Sequence, residues 1–516
     1  MKRITLLLSF FIALFSCVAQ ISPQSKKVTE KFFPDPDITI NTPAFEKKRG
    51  YTSYEELLVF LNKQINAHKD IMSMKFIGTS QKGKEIPMVH LNKKNSDTNK
   101  VKVWIQGGLH GNEMGSTESV LYLIDQLLNN NEYTYLLDKL EIKLVPMANI
   151  DGYEKESRYA ANGLDLNRDQ TKLNIQESVY LKQAFSDFGA EVALDLHEYR
   201  PYRRDFTYMS TYGITSIYDA MFLYSGNLNV PENLRKYTKE RFVSAAEKVL
   251  DEHDLIHHDY MSTGKIFGEI HFKQGSENSR SSATSYALTN AVSSLIEVRG
   301  VGINKTSFKR RVQTAFLISM SYLKTAYDHA EELREEIAKA EAAMIPATAK
   351  TKKKIYTDTI KAIDLDKNEA IDMEVKMSDA LQLTPLLQRE RAEAYVILPE
   401  ERGIIERLEI LGLKITFLEE EKTLELEAYT VLEYEREAEK YEGVNRQTVV
   451  TELKPISKTF PKGTAIVRMD QSNANLAMEV LEPEVMNSFI SFEVIETEKG
   501  AELPIYRLTK KDPSIR

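Results

Sequence analysis

The sequence predicts an α/β protein: a mixed, mostly parallel sheet with helices on both faces, followed by a smaller β-rich domain. Short apolar runs, Val101–Gln106, Ile142–Met147 and Glu191–Leu196, alternate with helical patterns. That order builds parallel strands joined by helices. His110, His197 and Glu297 follow or end such runs, and ligand sites in these sheets lie beyond the carboxyl ends of the strands. The second domain is predicted by a change of texture. After the basic run Lys350–Lys354 come short strands rich in valine and threonine, such as Ala394–Leu398, Lys414–Leu418 and Thr464–Met469.

At the N-terminus, Lys2 and Arg3 precede the apolar run Ile4–Phe15, and the small residues Ser16 to Ala19 follow. This is the order of a secretory signal, too short to span a bilayer, so residues 1–19 read as a signal peptide cleaved after Ala19. The alternative is a lipid anchor at Cys17, because Leu14-Phe15-Ser16-Cys17 resembles a lipobox in which Phe15 fits poorly. Cys17 is the single cysteine, so no internal disulfide is expected. The mature protein is expected to be exported (periplasmic, envelope-associated or secreted) without a transmembrane helix.

Residues 20–45, polar and proline-containing, read as a leader. Residues 46–330 read as the catalytic domain. Within it, Tyr54–Ala67 spaces Leu57, Leu58, Phe60, Leu61 and Ile65 for a helix, and Thr117–Leu128 does likewise. Lys309–Ala343 is one long helical pattern that becomes increasingly charged. Residues 331–354 read as a helical linker ending in the solvated run Lys350–Lys354, and residues 355–516 as the β-rich accessory domain. The 516-residue length exceeds one ordinary core, and 42% hydrophobic with 28% charged residues is an ordinary globular composition. A net charge of −8 leaves no basic excess to neutralise phosphates and argues against a nucleic-acid partner.

Three stretches carry chemistry: Gly107–Ser116, Leu194–Tyr199 and Ser294–Gly300. His110 and Glu113 lie three residues apart in the first, where Gly107-Gly108 permits a tight turn into a cleft. His197 ends an apolar run. Two imidazoles and a carboxylate fill three corners of a tetrahedron and leave one for water, the pattern of catalytic zinc. Such a site needs a base, and Glu297 closes an apolar strand where a charge must face something polar. Each residue also has a bland explanation: a loop histidine beside a helix-start glutamate, a satisfied core histidine, an edge-strand glutamate. His253, His257 and His258 sit among Asp and Glu residues and read as a solvated helix end. Pro201 excludes a helical His-Glu-x-x-His motif.

The segment from Arg158 to Asn167-Arg168 resembles the substrate-binding stretch of zinc metallocarboxypeptidases related to carboxypeptidase A. Taken with Asp-Leu-His-Glu-Tyr at 195–199 and Ile-Glu-Val-Arg-Gly at 296–300, it looks closer to a large bacterial secreted branch than to digestive enzymes. The resemblance covers roughly residues 50–325 and implies a carboxypeptidase-like fold with one zinc ion held by His110, Glu113 and His197. It implies Glu297 as general base and acid, Arg158 as the group polarising the scissile carbonyl, and Asn167 and Arg168 as a clamp on the substrate's free carboxylate. A guanidinium grips a carboxylate in bidentate fashion. By the same resemblance Asp165 accepts the ring N–H of His110. Tyr286, Tyr260 and Arg280 are candidates for contacting bound substrate from a loop. The expected partner is a peptide or protein with a free C-terminus. Two alternatives remain at this stage: a zinc amidase acting on cell-wall peptides or N-acyl amino acids, and a non-catalytic binding module on the same fold.

Overall fold

The computed structural model describes residues 25–94 and 99–510. The expected signal peptide, Cys17 included, lies outside the described residues. Along the chain come β1 (Met72–Thr79), β2 (Glu85–Leu91), β3 (Val101–Gly107), β4 (Leu140–Val145) and β5 (Val192–Tyr199). Next are β6 (Ile214–Ser216), β7 (Ala220–Tyr224), β8 (His257–Asp259), β9 (Met261–Ile266), β10 (Glu269–Gln274) and β11 (Val292–Arg299). A long hairpin follows, β12 (Ala347–Asp364) and β13 (Glu369–Arg389). The last strands are β14 (Ala394–Ile397), β15 (Ile415–Phe417), β16 (Lys422–Arg436), β17 (Gln447–Phe460), β18 (Ala465–Arg468) and β19 (Glu502–Leu508).

The first sheet has eight strands in the order β1-β2-β4-β3-β5-β11-β7-β8. Its centre, β4-β3-β5-β11, is parallel throughout, and its flanks bring in antiparallel pairs. All eight residues of β5 are buried, as expected for a central strand covered on both faces. Alternation along β5 shows what covers each face. Asp195 meets Ser282 in the helix Ser282–Ala287. Glu198, on the opposite face, accepts from Gly115 N at 2.9 Å and from Arg311 Nε at 2.7 Å. Those partners lie in the helices Met114–Asn129 and Phe308–Asp328. The approach of Glu198 is so close that a Cβ at Gly115 would lie 2.3 Å from its carboxylate.

The helix Tyr54–Ala67 forms with the bounds its spacing predicts. Ser53 and Glu56 close a capping box at its start, satisfying otherwise orphaned N–H groups. The long pattern from Lys309 resolves into two helices, Phe308–Asp328 and Ala330–Ala342, broken at His329.

Long-range pairing corrects one expectation. The run Lys350–Lys354, taken as a solvated linker, lies within β12 and pairs with β13. A second, five-stranded sheet, β6-β12-β13-β10-β9, thus joins this hairpin to strands from residues 214–274, around Phe206, Ile214, Phe272, Ile360 and Met377. Of the expected leader, residues 25–45 pack against the rest of the chain. Phe33 is buried under the Arg299 guanidinium, 4.1 Å from its ring centroid, and its carbonyl accepts from Ser307 Oγ at 2.7 Å. The third sheet, β15-β18-β14-β19-β16-β17, is antiparallel throughout.

Candidate active site

β3 ends at Gly107, and Gly108 turns the chain at φ +66°. A side chain there would lie 2.6 Å from Thr117 Oγ1, so the turn needs glycine. The turn delivers His110 and Glu113, both 2% exposed, to the start of the helix Met114–Asn129. β5 delivers His197 to the same point. His110 Nδ1 lies 2.7 Å from Glu113 Oε1, and His197 Nδ1 lies 2.8 Å from Glu113 Oε2. The two Nδ1 atoms are 3.0 Å apart. Glu198 N donates to Glu113 Oε2 at 3.0 Å and fixes that carboxylate.

These residues fit a zinc ion. Their ligand atoms all lie within 4.8 Å of one another in a buried setting, and the donor set is of the open catalytic kind. Each histidine also has its outer nitrogen beside a carboxylate, which is how ligating imidazoles are oriented. His110 Nε2 is 3.1 Å from Asp165 Oδ1, and His197 Nε2 is 2.8 Å from Asp195 Oδ2. Burial disfavours charge on His197, yet the Asp195 and Glu113 carboxylates hold its pKa well above the usual histidine range.

Asp165 is shared. Its Oδ2 accepts from Arg158 Nε at 2.9 Å and its Oδ1 from Asn167 N at 2.8 Å. Burial would raise its pKa, but His110 and Arg158 keep it well below the ordinary carboxylate range. Arg158 NH1 reaches to 3.6 Å from Glu113 Oε1, so its guanidinium lies against the ligand cluster. Asn167 is 3% exposed and accepts from Ser282 N through Oδ1 at 2.8 Å, which leaves its amide nitrogen free to donate. Arg168 NH1 donates to Asn167 O at 2.7 Å. Among the described residues no carboxylate lies within ion-pair distance of it, so its remaining donors are available to an incoming anion.

Glu297 stands in β11 directly opposite His197 in β5. Its Oε2 is buried without a hydrogen-bond partner. Burial first, and the Glu113 charge second, push its pKa up to about 7. An acid group held near neutrality beside a ligand cluster is suited to proton transfer. Burial first, and the Glu297 charge second, raise the pKa of the Tyr260 phenol.

The two remaining sequence candidates are elsewhere. Tyr286 is 1% exposed, stacks on Phe185 with ring centroids 4.0 Å apart, and donates to Gln106 Oε1 at 3.0 Å. It is a core residue under the sheet, because its helix turns that ring inward. Arg280 is held by loops of the C-terminal region. Its Nε donates to Asn487 Oδ1 at 2.8 Å, its NH1 pairs with Glu442, and Phe492 covers it at 4.6 Å. Sequence reasoning missed Asp195 and Ser282. An Asp two residues before a strand histidine shares its face, and that was the available signal.

Residues 57–360 match the family model for zinc carboxypeptidase. The chain is similar to "Carboxypeptidase 2" of Trichophyton rubrum, 30% identical over 445 residues, covering 83% of this chain and 81% of that one. It is 29% identical over 478 residues to "Carboxypeptidase 2" of Trichophyton equinum, covering 89% and 87%. Among solved structures, carboxypeptidase A from Helicoverpa armigera superposes with a TM-score of 0.43 at 19% identity, covering 56% of this chain and 78% of that one.

Proposed function

The chain belongs to the zinc carboxypeptidase family, and from that premise we propose that it removes residues from the free carboxyl end of peptides, using Glu297 as general base. Zinc held by His110, Glu113 and His197 would supply Lewis acidity, acidifying water and polarising a carbonyl oxygen. The rest is done by the chain's own groups. Arg168 and the Asn167 amide grip the terminal carboxylate and set the register of the bound peptide. Glu297 takes the proton of the attacking water through its unpartnered Oε2 and delivers it to the departing amine nitrogen. Arg158, fixed by Asp165, lies where its positive charge offsets the negative charge developing on the carbonyl oxygen. The observation that carries the reading is the Arg168 guanidinium beside Asn167, which among the described residues has no ion-pair partner. A cleft that holds a carboxylate next to its hydrolytic groups selects chain ends.

The test uses two peptides identical except that one ends in a carboxylate and the other in an amide. Mass analysis should show the last residue lost from the first peptide alone. Equal turnover of both, or internal cleavage, would overturn the proposal and favour an amidase.

We propose further that the protein is exported, on the strength of its N-terminal charge, apolar and small-residue order. Among the described residues no helix is long and apolar enough to cross a membrane. The C-terminal sheet is proposed as an accessory domain that braces the clamp. Glu442, in the turn after β16, pairs with both Lys172 and Arg280. Arg280 O in turn accepts from Gln170 N at 3.1 Å, three residues beyond Asn167.

A further inference from the structure

The inner ends of the metal cluster and of the carboxylate clamp meet on two buried residues that belong to neither the ligand set nor the clamp. Asp195 is 1% exposed and lies two residues before His197 on the same face of β5. Its Oδ2 is 2.8 Å from His197 Nε2, an ion-pair contact whose angle falls short of hydrogen-bond alignment. The same oxygen accepts from the hydroxyl of Ser282, which is itself fully buried. The backbone N–H of Ser282 donates to Asn167 Oδ1 at 2.8 Å. His197 is thus connected through Asp195 and Ser282 to Asn167, across β5, the helix Ser282–Ala287 and the turn that carries the clamp.

Resting on the carboxypeptidase reading above, we propose that Asp195 and Ser282 are a positioning pair that fixes the His197 ring for zinc and locks it in register with the carboxylate clamp. A carboxylate beside Nε2 keeps the ring proton on that nitrogen and leaves the Nδ1 lone pair toward His110 and Glu113, where the metal would lie. Asp165 does the same for His110, so both imidazoles present Nδ1 inward with Nε2 against a carboxylate. The two carboxylates have different second tasks. Asp165 is tied to Arg158, whereas Asp195 is tied through Ser282 to Asn167. Each histidine is therefore anchored to a different substrate-contacting group. The spacing between the His197 ring and the Asn167 clamp is fixed from behind by buried groups, whose polar interactions are strengthened by the absence of water. One hydroxyl carries the link between the two halves.

The test measures zinc affinity by competition with a chelator, and KM and kcat on a peptide with a free terminal carboxylate, for Asp195→Ala, Asp195→Asn, Ser282→Ala and Ser282→Thr in the full chain. Loss of the carboxylate should weaken zinc binding 10- to 100-fold. Asp195→Asn, which keeps the volume and an acceptor for Ser282, should move it in the same direction and carries the test if the alanine variant does not fold. Ser282→Ala should weaken zinc binding severalfold although no atom of Ser282 touches His197, and should raise KM by a larger factor than it lowers kcat. Ser282→Thr, which restores the hydroxyl, should recover both. In the double alanine variant the zinc effect should not exceed that of Asp195→Ala, because the two residues act in series. Zinc affinities within twofold of the parent for Asp195→Asn and Ser282→Ala would overturn the pair while leaving the carboxypeptidase reading intact. A parent chain that binds no zinc, or whose His197→Ala variant binds it equally well, would overturn both together.

Discussion

Glu297 and His197 are cross-strand neighbours, residue opposite residue in the parallel pairing of β11 and β5, with Met221 of β7 on the other flank of Glu297. The sheet itself therefore sets the spacing between the proposed base and a proposed metal ligand, independent of any loop. Glu297 supplies no ligand atom to the cluster formed by His110, Glu113 and His197. Glu297→Gln should accordingly keep stoichiometric zinc while kcat falls by at least about a hundredfold, the usual range for loss of a general base. Metal analysis and steady-state kinetics on one preparation check this, and turnover near the parent level would remove Glu297 from the mechanism.

The clamp predicts a different kinetic signature. Arg168 has no ion-pair partner among the described residues, and under the proposed function its remaining donors bind substrate. Removing a hydrogen bond to a charged group costs about 1.5–3 kcal/mol, so Arg168→Ala should lower kcat/KM roughly 10- to 100-fold on peptides with a free carboxylate. Zinc content should not change. Arg168→Lys should recover only part of the loss, since an ammonium cannot reproduce the planar two-point grip. An alanine variant with unchanged KM would show that the carboxylate binds elsewhere.

Glu442 lies 16% exposed between Lys172 and Arg280, which are 4% and 7% exposed. Its burial opposes ionisation, but the two cations hold its pKa below the ordinary value. Glu442→Gln would strand two buried positive charges, and breaking a buried pair in this way costs about 3–5 kcal/mol. Urea denaturation should show a loss of that order. Because Arg280 is tied to the Asn167 region through Gln170, KM should also rise. A neutral effect on both would show that the C-terminal sheet does not brace the clamp.

How much of this was legible depended on the range of the interaction. His110, Glu113, His197 and Glu297 could be found because charged or ligating groups at the ends of apolar runs must face a polar site. The Ser53 and Glu56 capping box likewise announces its helix locally. The second sheet was not legible, since β12 and β13 bind strands more than 70 residues earlier and a run of lysines looks the same on a strand edge as in a linker. Tyr286 and Tyr260 carry no local pattern that tells their environments apart. Only packing separates a ring stacked on Phe185 from one in the field of Glu297. The partner of Arg280 lies 162 positions away, beyond any local pattern.

Glu479 offers a test of pH dependence away from the metal cluster. It is fully buried and its Oε2 accepts from Asn227 Nδ2 at 3.1 Å and Asn229 Nδ2 at 2.8 Å. Burial pushes its pKa from 4.5 up to about 7, with the amide donors opposing. Between those values the folded chain holds a proton that the unfolded chain releases. This contribution is fully present below about pH 4.5 and is lost as pH rises through about 7. Glu479→Gln keeps a carbonyl acceptor for both asparagines and has no charge to bury. Relative to the parent, it should gain stability as pH rises from 5 to 8, reaching roughly 3 kcal/mol at the upper end. Parallel urea titrations of parent and variant at pH 5, 7 and 8 measure the difference. A gap that does not widen with pH would place the ionisation of Glu479 outside this window.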